Sequence, residues 1–210
     1  MVGRVKRKIR WLLWPAACLL AGAANAQALP SVFGVQLGAP VTLPECRRME
    51  GMPLSSSGMP AYELEQPNIC ARQPYQLSTV PLRVVDVYFP QEAKPEISSV
   101  NMIVAYLAKD DDKVIGIEAS TPGNAAAAYI IAQLTAKFGK PTQVIDDHQV
   151  VGNVSIATKH VIWKHPGFTV DYQSADPFGP RVGKLLVSTG DYDRLKKEGA
   201  ATEAAKRTPL

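Results

Sequence analysis

An α+β fold is what the sequence predicts: an antiparallel sheet with one principal helix packed on it, plus an irregular, disulfide-stapled N-terminal region. Three features carry that expectation. Strand-like segments follow one another through short links from residue 82 onward, one segment carries a helical apolar stripe closed by glycine and proline, and two cysteines bracket a stretch dense in proline and glycine. Short links favour antiparallel neighbours, because parallel ones need a long crossover.

The chain opens with Arg4, Lys6, Arg7, Lys8 and Arg10, then an apolar run from Trp11 to Ala23, then the small residues of Ala24-Asn25-Ala26. That order is the signature of a secretory signal peptide, cleaved after Ala26. The run of about 13 residues is shorter than the roughly 20 that cross a hydrocarbon core. Cys18 lies inside the run with Pro15 three residues before it, which is not the pattern of a lipidated cysteine. The expected location is the periplasm, with full secretion as the alternative, and the protein is expected not to be integral to a membrane.

Export also reassigns the charge. The chain has 23 basic and 19 acidic residues; without the five basic residues of the first 26 the balance is 18 against 19, a net −1. A body so close to neutral excludes a protein built to neutralise nucleic-acid phosphates, so no nucleic acid is expected as partner. In an oxidising compartment the two remaining cysteines, Cys46 and Cys70, are expected to pair. They lack the CxxC spacing of a redox-active pair.

Residues 27–81 read as one irregular segment. Its frequent prolines and glycines allow only short strands and turns, among them a strand from Val32 to Leu37, with Ser55-Ser56-Ser57-Gly58 as a loop tip. Residues 82–190 read as the α+β core. Arg83 to Phe89, Ser98 to Ala108 and Lys113 to Ala119 are strand segments, the last two a hairpin joined by Lys109-Asp110-Asp111-Asp112. A helix follows from Ala125 to Phe138, with Thr121 as its N-cap, Pro122 at the first helical position and Gly139 as its stop before Pro141. Ala127, Ile130, Ile131, Leu134 and Phe138 form its apolar face. Strands are then expected at Thr142 to Ile145, Val154 to Trp163, Gly167 to Gln173 and Lys184 to Thr189, with Asp146-Asp147-His148 as a separating turn. Residues 191–210 read as a marginal helix and frayed tail, since alanines and charges there form no broad apolar stripe.

Chemistry-bearing motifs are sparse. No G-x-S-x-G elbow occurs, and no catalytic set is assembled locally. His148, His160 and His165 supply metal-ligating atoms without the spacing that converges two imidazoles on one ion, so they are the metal candidates but no metal or other cofactor is expected. Asp110-Asp111-Asp112 lacks the alternation of a calcium loop and reads as a solvated turn. Glu118, at the end of a strand, and His160 are the acid and base to inspect first for a hydrolase. Trp163, Phe168 and Tyr172 flank one hairpin; they are either core beneath the helix or, facing outward, an interaction patch for a partner protein or glycan.

The segments Phe33-Gly34-Val35-Gln36-Leu37-Gly38, Leu43-Pro44-Glu45-Cys46 and Leu134 to Pro141 (LTAKFGKP), with Trp163, resemble small exported proteobacterial proteins of unknown function. The strand, helix and FGKP element is also similar to the SmpA/OmlA family of outer-membrane assembly lipoproteins. That resemblance implies an envelope setting and binding of other envelope proteins, and it implies no activity.

These observations together lead to a non-catalytic periplasmic binding protein of the Gram-negative envelope, with another envelope or secreted protein as partner and an open oligomeric state. A small envelope hydrolase with acid and histidine residues gathered from separate strands, and a periplasmic ligand or metal carrier, are the alternatives.

Overall fold

The computed structural model describes residues 29–52, 60–63, 65–76, 82–151, 153–176 and 179–207. The expected signal peptide and the tip Ser55-Ser56-Ser57-Gly58 lie outside the described residues. Among these residues eleven strands and two α-helices follow in order: β1 Ser31–Val32, β2 Val35–Gln36, β3 Cys70–Ala71, β4 Tyr75–Gln76, β5 Arg83–Tyr88, β6 Met102–Leu107, β7 Val114–Pro122, α1 Ala127–Phe138, β8 Gln143–Val151, β9 Val154–His165, β10 Phe168–Gln173, β11 Val182–Ser188 and α2 Gly190–Arg207.

One nine-stranded sheet holds the molecule together in the order β3-β5-β6-β7-β11-β10-β9-β8, with β4 also paired to β5. Every pairing within it is antiparallel. It consists of two meanders, β5-β6-β7 and β8-β9-β10-β11, joined where β11 lies against β7. Helix α1 connects β7 to β8 at the far edge, so it must cross one face of the sheet.

The alternation of the strands decides what that face buries. Val87, Ile103, Ile117, Val161, Trp163, Val170, Tyr172, Leu185 and Val187 point to it, and Ala127, Ile130, Leu134 and Phe138 of α1 close over them in one core. The indole N–H of Trp163 donates to the carbonyl of Gly139 at 2.8 Å, which ties the end of α1 to β9. The opposite face has a smaller cluster, in which Tyr192 and Leu195 of α2 cover Leu82, Tyr106, Ile115 and Leu186. A bulge between Tyr106↔Gly116 and Leu107↔Val114 leaves Ile115 as the extra residue of β7, and this turns it toward that second cluster.

Three sequence expectations are corrected. Val32 to Leu37 is a tight hairpin rather than one strand, because Phe33 and Gly34 both take positive φ (54° and 80°) and reverse the chain. Thr121 does not cap the helix: it and Pro122 are the last residues of β7, paired with Gly183 and Val182. Backbone carbonyls take the place of the cap, since the N–H groups of Gly123 and Asn124 donate to Arg181 and Pro180 at 2.9 and 2.8 Å. A 3₁₀ turn, Asn124–Ala126, then leads into α1. Asp146-Asp147-His148 is no turn but the middle of β8, and the reversal comes between Val151 and Val154. Within the irregular segment, β3 and β4 both add to β5 and so join the main sheet. Gly139 does stop α1, with φ 78° and its N–H on the carbonyl of Thr135 at 2.9 Å.

Candidate functional site

The N-terminal segment forms a strap across the sheet. At one end the N–H of Gly38 donates to the carbonyl of Val114 at 2.8 Å, and the N–H of Val114 donates to that of Ala39 at 3.0 Å. At the other, the N–H of Ala71 donates to Pro44 at 2.8 Å and that of Cys46 to Ala71 at 3.0 Å. Immediately beyond the second anchor, Cys46 is bonded to Cys70, the first residue of β3. The span between the anchors is Pro40-Val41-Thr42-Leu43-Pro44, in which two prolines restrict the backbone.

Between this strap and the sheet lies a cleft of about 330 Å³. Ala71, Val85 and Leu107 form its apolar floor, Val41 and Leu43 of the strap its wall, and Glu45, Arg72 and Asp112 its charged rim. An apolar floor with a few oriented polar groups is the ordinary composition of a ligand site. A second hollow, between Arg47, Gln66 and Phe89 to Glu92, is lined mainly by polar and charged side chains.

Arg72 borders the cleft, but its guanidinium turns to the other face of the sheet, the side to which Asp86 and Tyr88 of β5 point when Val85 and Val87 face the core. The Arg72 guanidinium lies 3.6 Å from the Asp86 carboxylate, 4.3 Å from the centre of the Tyr88 ring and 5.0 Å from that of Tyr62. Asp86 is buried, and burial raises its carboxyl above the usual range against the opposing pull of the Tyr75 hydroxyl and Arg72. Tyr75 donates to Asp86 at 3.2 Å, and its own phenol is pushed up to about 12, by burial first and then by the Asp86 charge. Glu45 holds Arg48 and accepts from the Tyr62 hydroxyl at 3.4 Å, while Asp112 pairs with Arg83.

The other candidate residues are placed apart from this cleft. Trp163, Phe168 and Tyr172 are buried beneath α1, which overturns the outward-facing patch: odd residues of β9 and even residues of β10 share the covered face. Thr121 is buried beside Tyr172. The three histidines do not converge. His160 lies on the open face with Nε2 3.0 Å from Asp171, His165 on the covered side stacked on Phe168 at 4.6 Å, and His148 on β8 with Nδ1 3.4 Å from the Ser155 hydroxyl. Among the described residues no group of three or more His, Cys, Asp or Glu could hold a metal ion.

Glu118 accepts from the Tyr106 hydroxyl at 3.0 Å and pairs with Lys184 at 2.8 Å. It shares the open face with His160, but β11 and β10 stand between their strands, a separation of about 14 Å at the usual strand spacing. One proton cannot pass between them directly. The acidic turn has distributed partners too, Asp111 with Lys113 and Asp112 with Arg83.

Sequence reasoning missed Val41, Leu43, Arg72 and Val85. The legible signal was the Pro40 to Pro44 segment just ahead of Cys46; the rest needed the pairing of β3 with β5, which brings together residues far apart in the chain.

The fold and the cleft define a class: an α+β sheet protein whose disulfide closes a strap over an apolar hollow. In comparisons with known proteins the chain matches no family model, no curated protein and no solved structure.

Proposed function

We propose that this protein is a non-catalytic binding protein of the Gram-negative envelope, exported to the periplasm after cleavage following Ala26, and that it holds another envelope or secreted protein by an apolar segment seated in the strap cleft. The observation that carries the reading is the cleft itself, with its apolar floor of Ala71, Val85 and Leu107 beneath a strap pinned at both ends. The Cys46–Cys70 disulfide fits an exported protein, because thiols stay reduced in the cytosol. No helix among the described residues is long and apolar enough to cross a membrane. Binding is favoured over hydrolysis because Glu118 and His160, the acid and base a small hydrolase would need, each have partners of their own on separate strands.

A photo-reactive benzophenone amino acid placed at Leu43 in the strap, and in a control at exposed Tyr129 on α1, tests the reading in whole cells. Cross-linking to a discrete envelope or secreted protein from position 43 and not from 129 is the expected result. Equal labelling from both positions, or none from 43, would overturn it.

A further inference from the structure

At the end of the sheet away from the cleft, β8 is the terminal strand, nine residues long and paired only to β9. An edge strand presents a row of backbone donors and acceptors to any chain that can align with it, and proteins usually blunt such edges with proline, lysine or a bulge. The segment Gln143-Val-Ile-Asp-Asp-His-Gln-Val-Val151 has no proline and no lysine, and its register with β9 is unbroken from Gln143↔Ile162 to Val151↔Val154. Val144 and Val150 stand 52% and 70% exposed on it.

The sequence of this edge is complementary to itself when reversed. A two-fold axis through Asp147 sets each residue opposite one of the same face in a second copy, so Val144 meets Val150 and Asp146 meets His148, each pair occurring twice. The backbone agrees with that register. The N–H of His148 donates to the Asp147 carboxylate at 2.7 Å, which places it on the open side of the strand. By the alternation of an antiparallel ladder, Val144, Asp146 and Val150 then also turn their backbone groups outward. These four residues form the hydrogen-bonded pairs of the proposed register, and Asp147 falls at a non-hydrogen-bonded position on the axis, where side chains approach most closely.

We propose that the protein forms a symmetric dimer in which β8 pairs antiparallel with β8 of a second copy, extending the two sheets into one. The occupant is a second copy because the strand itself supplies both the apolar pair and the pair of an acceptor carboxylate with an imidazole that can donate to it. The proposal is independent of the cleft, which lies at the β5 end of the sheet and stays open in such a dimer.

The mature protein, run through sedimentation equilibrium over a concentration series, is expected to show a monomer–dimer equilibrium. Val144→Lys with Val150→Lys, both at exposed positions, should weaken it by more than about tenfold while leaving the far-ultraviolet circular dichroism unchanged. Asp147→Asn removes the one like-charge pair of the register and should tighten the dimer by about threefold. As a readout that does not depend on those variants, Asp147→Cys should yield a covalent dimer under oxidising conditions, and Gln149→Cys should not. A chain monomeric at every concentration, a dimer indifferent to the two lysines, or no cross-link through position 147 would overturn the proposal.

Discussion

Gly139 ends α1 at φ 78°, and an added Cβ would meet nothing within 4 Å, so the whole effect of a substitution there is backbone strain. Gly139→Val is expected to destabilise the protein by about 1 to 2 kcal/mol, since a branched side chain resists that conformation. Thermal melting checks it, and an unshifted melting temperature would contradict it. This position was legible from Gly139-Lys140-Pro141 alone. Thr121 was not, because the same Thr-Pro-Gly sequence that suits a helix start also suits a strand end, and the carbonyls of Pro180 and Arg181 that decide the matter are distant in the chain.

The buried phenols set the alkaline behaviour. Tyr75, Tyr172 and Tyr192 are each pushed up to about 12, in every case by burial first. Their raised values mean that the folded state holds these protons more tightly than the unfolded chain does. The stability they contribute is therefore complete below about pH 10, the ordinary phenol value, and is lost as pH rises through 12. Phenolate absorbance should accordingly lag in the native protein above pH 10 and rise together with loss of near-ultraviolet circular dichroism. Full titration of all tyrosines near pH 10 with the fold intact would contradict this.

At the scale of elements, the strap depends on its staple. Closing a loop of 24 residues' separation removes enough freedom from the unfolded chain to stabilise the fold by about 3.5 kcal/mol. Cys46→Ser with Cys70→Ser should lower the free energy of unfolding by about that amount in a denaturant titration. Hydrogen exchange should also speed up at Cys46 and Ala71, whose N–H groups pin the strap; unchanged exchange there would show that the strap holds without the bond. Helix α2 has a different dependence. Few residues attach it, chiefly Tyr192, which is 4% exposed and packs on Gly116 and Tyr106 with ring centres 4.9 Å apart. Tyr192→Ala should destabilise by about 3 kcal/mol and reduce the helical signal, as read by circular dichroism. The charges and alanines of residues 191–205 made this helix look marginal, and its sequence alone could not show that two apolar residues would find a pocket above a glycine.

Across the whole molecule, the order of three strands, a helix and then three or four strands was legible because it rests on local signals: β-branched runs, short links, and one apolar stripe ended by glycine. The pairing of β7 with β11 was not, since nothing near either strand names its neighbour, yet it is what makes one sheet of two meanders. The candidate site was hidden for the same reason. Its floor comes from β3, β5 and β6 and its wall from the strap, and only the assembled sheet brings them together. Conversely, the aromatic residues that stood out in the sequence, Trp163, Phe168 and Tyr172, serve the core, while small aliphatic residues of no individual distinction form the cleft.

The cleft as a seat for an apolar segment of another protein is tested most directly by selection of displayed peptides against the purified, oxidised chain. Leu43→Trp, which fills the hollow from the strap, serves as the control. The native protein is expected to enrich peptides sharing an apolar anchor, and these are expected to fail to bind Leu43→Trp while its melting temperature stays near that of the native chain. Enrichment of no common anchor, or peptides that bind both proteins equally, would contradict it.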